Sequence, residues 1–283
     1  MESNKLCAKD VRLLLNVLKF LMKVSSLAQK DLFNWCKFLI SDLGGAWNRQ
    51  EICVLGTKST CQDIVNVVNN CESEYLFIAF SGHGYRKNGV DRICLYNEYM
   101  SVAYLKQIVC RFSSKATLVL DCCRGGDDAI VDVSGLRASR GPVRRIQGDA
   151  RPDIVPCRTG VPVMESFSNN EGVLNRYARV WLKAMNKMPE GLVTMWACSK
   201  GEAAGEYSSP NTNAGGYFTT ALINAAVRWQ HVVQKNLDKV YMTDEAFSDA
   251  VNLVPDNQQN PQYDPSETSL AYPFAVQVKE SQS

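Results

Sequence analysis

The sequence predicts an α/β sandwich around a mostly parallel sheet. Three observations predict it. Short apolar runs alternate with helical segments along the chain. Two of those runs, YLFIAF at 75–80 and ATLVL at 116–120, are almost free of polar residues, as in strands covered on both faces. Each run leads directly into a glycine-bearing polar motif, and in open parallel sheets ligands bind beyond the carboxyl ends of the strands.

The elements follow in order. The first apolar run, about 11–20, fits a strand or a helix equally well. Residues 26–43 read as a helix, because Leu32, Trp35, Cys36, Leu39 and Leu43 recur at helical spacing and Gly44-Gly45 stops it. Strand 51–55 precedes a helix over 59–70, opened by Ser59 or Thr60, with Ile64, Val65, Val67 and Val68 turned inward. Strand 75–80, strand 91–96, helix 101–112 and strand 116–120 come next. Residues 127–170, rich in Gly, Pro, Ser, Asp and Arg, read as a long loop. Helix 173–185, strand 192–197, loop 201–216, helix 217–230 and helix 243–253 follow, and a polar stretch leads to a final strand over 270–278.

Composition narrows the function classes. A chain of 283 residues holds one large domain or two small ones. A net charge of +2 gives no global attraction to nucleic acid or acidic lipid. No apolar run reaches the roughly 18 residues of a transmembrane helix. The stretch 11–24 is broken by Arg12, Lys19 and Lys23 and lacks a signal-peptide layout. The eleven cysteines include no CxxC pair and fall mostly inside apolar runs. A reducing, cytoplasmic setting without a disulfide framework is therefore expected. With two histidines, His83 and His231, any imidazole chemistry has few sources.

The motifs are Ser81-Gly82-His83-Gly84 after the first buried run and Asp121-Cys122-Cys123-Arg124-Gly125-Gly126 after the second. Side by side, the two strands open both motifs on one edge and bring His83 near a cysteine. An imidazole that accepts the thiol proton favours thiolate, the attacking species. The backbone N–H groups of Gly84 and Cys123 are the candidates for stabilising an oxyanion. Adjacent thiols alternate direction on an extended chain, so the two cysteines are expected to face different surroundings. His231, Cys198 and Trp196 are read as surface or core residues.

SGHG followed by DCCRGG resembles the His and Cys motifs of the caspase-like cysteine proteases, most of all metacaspases and paracaspases. ACSKGEAAGE at 197–206 and GGYFTTAL at 215–222 are similar to that family's small-subunit strand, substrate loop and following helix. The resemblance implies a three-layer α/β/α sandwich, a Cys123 nucleophile and a His83 base. It implies cleavage after Arg or Lys, with Asp31, Ser81 and Asp121 lining the pocket for the basic side chain. Two carboxylates in a partly desolvated pocket suit that selectivity. It also implies one catalytic domain: a large-subunit-like part over 1–126, an Arg-rich linker and processing region over 127–190, and a small-subunit-like part over 191–283.

Self-cleavage is expected in the linker, with Arg137, Arg140, Arg144, Arg145, Arg151 and Arg158 as candidates, since exposed flexible segments are readily cut. Partners would be protein or peptide substrates, with no nucleic acid and no membrane, and a monomer is favoured. No cofactor or metal is expected. Calcium activation stands as a minor alternative, because the segment after the His motif offers one well-placed acid, Asp91, and Asp127 and Asp128 do not fall at the family spacing. Two other readings stay open. One is an Asp-specific protease in which Arg124 or Arg86 supplies a basic pocket; the other is a silent scaffold with the same fold.

Overall fold

The computed structural model describes residues 18–22, 28–56, 58–71, 73–126, 175–207, 215–255 and 259–279. In chain order the elements are β1 (Leu18–Met22), α1 (Ala28–Ile40), β2 (Ile52–Leu55), α2 (Cys61–Asn69), β3 (Tyr75–Gly82), β4 (Gly84–Lys87), β5 (Val90–Leu95), β6 (Glu98–Ser101), α3 (Val102–Phe112) and β7 (Lys115–Cys122). They continue with α4 (Arg176–Met185), β8 (Gly191–Trp196), α5 (Tyr217–Val232), β9 (Lys239–Met242), α6 (Thr243–Val251), β10 (Gln262–Pro265) and β11 (Pro273–Gln277).

A six-stranded sheet runs in the order β10-β8-β7-β3-β1-β2. Its neighbours pair parallel except β10, which lies antiparallel on β8. Every residue of β3 and β7 is buried, as their apolar sequences require of strands covered on both faces. Side chains alternate along them. Leu76, Ile78, Phe80, Leu118 and Leu120 meet Ile64 and Val68 of α2 and Leu105 and Val109 of α3. Phe77, Ala79 and Val119 meet Trp35 and Leu39 of α1, Trp181 of α4, and Phe218 and Leu222 of α5. The result is a three-layer α/β/α sandwich around a mostly parallel sheet.

Local chemistry sets the helix starts. Thr60 and Asp63 form a reciprocal capping box on α2. Ser101 accepts the Tyr104 N–H and caps α3, so the helix begins one residue after the predicted start. The ambiguous first run resolves, where it is described, as strand β1; residues 11–17 lie outside the described residues, as does 127–174. Within the predicted 127–190 linker, residues 176–185 are α4, with Trp181 and Met185 in the core.

Four strands, β4, β6, β9 and β10, were not expected. β4, β5 and β6 form a separate antiparallel sheet. Its first turn is Asn88-Gly89, with φ of 52° and 77°, the two-residue hairpin geometry that an Asn-Gly pair favours. β10 lies in the polar stretch read as loop, and the predicted last strand does not join the main sheet. Shortened to Pro273–Gln277 as β11, it pairs with β9 instead. β10 takes the edge position, where alternate residues face solvent and a terminal Pro265 costs no ladder bond.

Trp35 is 1% exposed and its ring lies 5.3 Å from Phe77 and 6.1 Å from Phe274. Trp35→Ala should lower unfolding free energy by about 3–5 kcal/mol, measured by urea denaturation. Tyr104→Ala, on the exposed side of α3, should stay within about 0.5 kcal/mol of the parent.

Candidate active site

β3 and β7 pair in parallel from Tyr75 with Lys115 to Gly82 with Cys122, and Ser81 stands opposite Asp121. His83 and Cys123 are the next residue on each chain, so both motifs open at one carboxyl edge of the sheet. His83 leads into the β4–β5 hairpin, and its carbonyl accepts the Cys94 N–H at 3.0 Å. The Arg86 N–H donates to the Gly125 carbonyl at 2.9 Å, which clips the hairpin to the cysteine turn. Gly84 lies where that approach is tightest. A Cβ there would sit 2.7 Å from the Cys123 carbonyl oxygen and 2.8 Å from the Cys122 Sγ. Only glycine lets the two backbones carrying the predicted oxyanion donors lie this close.

The adjacent thiols separate to opposite faces. Cys122 is 2% exposed and belongs to the core cluster of α2 and α3. Burial pushes its thiol well above the ordinary range. Cys123 is half-buried, packs toward the opposite core, and has its Sγ 3.9 Å from the Ala204 carbonyl oxygen. Cys198 is buried as expected; its Sγ–H donates to the carbonyls of Cys122 and Glu202, each at 3.4 Å.

The three residues expected to line a basic-side-chain pocket come together. Asp31, in the first turn of α1, is 1% exposed; Asp121 and Ser81 are also buried. The Ser81 Oγ–H donates to Asp31 Oδ2 at 2.5 Å. The Gly216 N–H donates to both Asp31 oxygens, at 2.9 and 3.1 Å, and the Thr219 N–H donates to Asp121 Oδ2 at 2.9 Å. Both carboxylates thus sit at the positive N-terminal end of α5. A Cβ at Gly215 would collide with the Asp31 carboxylate and one at Gly216 with that of Asp121, so only bare backbone fits over the pair. Burial first, and then the neighbouring Asp121 carboxylate, push the Asp31 carboxyl up to about 8. Glu206 adds to the same push.

The loop after β8 closes the site. The Glu202 carboxylate accepts N–H bonds from Ser199 at 2.9 Å and Asn260 at 3.0 Å. The Gly205 N–H donates to Gln259 Oε1 at 2.6 Å. Tyr207 and Gly215, and Tyr217 and Gly205, are joined by backbone bonds of 3.0 Å. The loop is therefore pinned to the start of α5, with Ala204 beside the Cys123 thiol and Glu206 beside Asp31.

Arg124 and Arg86 have a different place from the one an acid-binding pocket would need. Arg124 is 5% exposed; its Nε and Nη2 bond to the two oxygens of Asp91 at 3.2 and 2.9 Å. Its Cζ lies 3.9 Å from the Trp196 ring centre. Arg86 Nη1 bonds to Asp91 at 2.8 Å. Partial burial opposes ionisation of Asp91, but the two guanidiniums prevail and hold its carboxyl below the usual range. The acid considered for calcium is thus occupied by protein cations. Among the described residues no group of three or more His, Cys, Asp or Glu could hold a metal ion. Also among them, no helix is long and apolar enough to cross a membrane. His231 lies exposed in the last turn of α5. Asp127, Asp128 and the candidate cleavage sites Arg137, Arg140, Arg144, Arg145, Arg151 and Arg158 lie outside the described residues.

The sequence reading missed three contributions: Gly215-Gly216 as the backbone over the carboxylates, Glu206 beside them, and the Arg86–Asp91–Arg124 chain. The two consecutive glycines before an apolar helix were the available signal for the first. Asp91, Arg86 and Arg124 had each been noted, but nothing in linear spacing pairs a β5 acid with the residue after a cysteine.

Chemically, the edge offers a thiol and an imidazole together with a buried carboxylate pair within one loop of them. Comparison with known proteins agrees with this arrangement. The family model of the caspase domain, peptidase family C14, matches residues 5–272. A crystal structure of protein GSU0716 from Geobacter sulfurreducens superposes with a TM-score of 0.54 at 13% identity. That similarity covers 92% of this chain and 98% of that one, and it speaks for the fold. No curated protein matches the chain. A cysteine-bearing parallel-sheet edge of this kind, within a family match over nearly the whole chain, means that the chain belongs to the caspase-domain family and has a cysteine protease-type domain.

Proposed function

We propose that the protein is a cysteine endopeptidase of the metacaspase or paracaspase type that cuts peptide bonds after Arg or Lys. The observation that carries this reading is the buried Asp31–Ser81–Asp121 cluster next to the edge that bears His83 and Cys123. Burial, then the neighbouring Asp121 carboxylate and last Glu206, oppose ionisation of Asp31, which keeps its proton. A guanidinium or ammonium entering the site replaces that proton and meets acceptors already oriented by Ser81, Gly216 and Thr219. An acidic side chain meets like charge. The Asp-specific alternative loses support, because Arg124 and Arg86 are committed to Asp91.

In the reaction, His83 takes the Cys123 thiol proton and the thiolate attacks the carbonyl carbon. The tetrahedral oxyanion is met by the N–H groups of Gly84 and Cys123. The carbon–nitrogen bond then breaks, with His83 returning the proton to the leaving amine. Water hydrolyses the resulting thioester and regenerates the thiol. Asp91 is held by two arginines, so the scheme draws on no calcium at that acid. The substrates are protein or peptide chains, the enzyme acts as a monomer in the cytoplasm, and the arginines at 137–158 are its self-cleavage sites.

The protein should hydrolyse peptides with Arg or Lys before the cut bond and leave Asp peptides intact, with or without a calcium chelator. Asp121→Asn should lower kcat/KM for Arg peptides by thirtyfold or more, from a loss of about 2–5 kcal/mol in a buried charge pair. Equal rates on Arg and Asp peptides would refute the specificity. The pH dependence has a definite sign. Because Asp31 is protonated up to about pH 8 in the free protein, a bound cation must displace its proton, so KM for Arg peptides should fall as pH rises toward 8. The same raised pKa means that folding stability declines as pH rises toward 8, when the buried group is forced to ionise. Asp31→Asn should flatten both profiles, read by initial rates and by Tm across pH. Incubated alone, the protein should fragment after arginines in 137–158 while Cys123→Ala stays whole, seen by intact mass.

A further inference from the structure

Asp91, Arg86 and Arg124 take no part in the steps above, yet they join the two halves of the site. Asp91 lies on β5, whose Cys94 N–H holds the His83 carbonyl. Arg124 directly follows Cys123. Its side chain meets Asp91 through a two-point fork and sits over the Trp196 ring, while Nη1 reaches the Cys198 carbonyl at 3.4 Å. Its backbone is held as well: the N–H donates to the Glu202 carbonyl and the carbonyl accepts the Gly201 N–H, both at 2.8 Å. The residue after the thiol is thus fixed to β5, to the end of β8 and to the loop bearing Ala204. A planar fork fixes angle as well as distance, which a lysine does not. Stability is a poor reason for such a pair. Buried ion pairs contribute little net stability compared with apolar packing of the same volume.

We propose that Asp91 is a positioning residue: acting through Arg124, it holds the Cys123 turn against the His83 hairpin in the alignment that thiol–imidazole proton transfer needs. Arg86 binds the same carboxylate but is partly exposed, so solvent bears its additional charge while Arg124 carries the orientation. The inference rests on His83 and Cys123 acting as a pair. It does not rest on the side chain that the enzyme prefers to cut after.

The test compares the full-length protein with Asp91→Asn, Arg124→Lys, Arg124→Gln and the double variant Asp91→Asn/Arg124→Gln. Three quantities are read for each: Tm, kcat and KM on an Arg peptide per titrated thiol, and the rate of iodoacetamide alkylation at Cys123 mapped by peptide mass. His83→Ala serves as the reference for a thiol without its imidazole. A misplacement on the order of 1 Å in an active site costs about a hundredfold in rate. Asp91→Asn should therefore lower kcat about a hundredfold with KM within about threefold, since substrate contacts are untouched. Alkylation of Cys123 should slow toward the His83→Ala rate. Arg124→Lys should do no better than Arg124→Gln, and the double variant should be no worse than either single, as expected of two residues acting as one unit. Asp91→Asn keeps the side-chain shape, so it remains informative if the Arg124 variants fail to fold. A folded Asp91→Asn protein with unchanged kcat and alkylation rate overturns the proposal, as does an Arg124→Lys protein that keeps the parent kcat. If no peptide is cut yet alkylation still depends on His83 and on Asp91, the peptidase reading fails and the positioning role stands. If His83→Ala leaves alkylation unchanged, there is no pair to position and the proposal falls.

Discussion

Everything at the site depends on one parallel pairing, that of β3 with β7. These strands are buried along their whole length and lie in the middle of the sheet. A slip of one residue would turn each row of side chains to the wrong core, so the register is fixed by burial on both faces. The same register sets Ser81 against Asp121 and brings the next residues, His83 and Cys123, out together at the carboxyl edge. The apolar sequences YLFIAF and ATLVL thus do more than fill the core. They set the coordinates of the chemistry.

Two kinds of charge are buried beside that edge, and they are treated differently. Asp91 has two guanidiniums and is held ionised, a closed and satisfied arrangement. Asp31 and Asp121 face each other, helix N–H groups and a serine hydroxyl, and Asp31 is held protonated by burial and by its neighbour. The first acid already has its cation, while in the proposed function the second pair receives one from the substrate. The bare Gly215-Gly216 backbone ties this pair to the loop bearing Ala204, so the carboxylates and the thiol share one wall.

The long dry strands, the amphipathic helices and the two motifs were legible in the sequence because each has a strong local signature. Asp31 was also legible, but only through family likeness; as a first-turn acid it has a sufficient local explanation. Four strands were not. β4 and β6 are four residues long and mix polar with aromatic side chains, and β10 lies among Asn, Gln and Pro. Short edge strands have one polar face and no sustained period to read. Asn88-Gly89 was a usable hairpin signal that the period-based reading passed over. The Arg124–Asp91 fork was beyond sequence altogether, because it joins residues that only the fold brings side by side.

The central claim is that Cys123, supported by His83, is the nucleophile for bonds following basic residues. The most direct measurement is covalent trapping with a peptidyl acyloxymethyl ketone bearing Arg before the reactive carbon, read by intact mass and peptide mapping, beside the same reagent bearing Asp. The account predicts a single adduct from the Arg reagent on Cys123, none on Cys122 or Cys198, and none at all in His83→Ala over the same period. Labelling spread over other cysteines, or equal labelling by the Asp reagent, would contradict it.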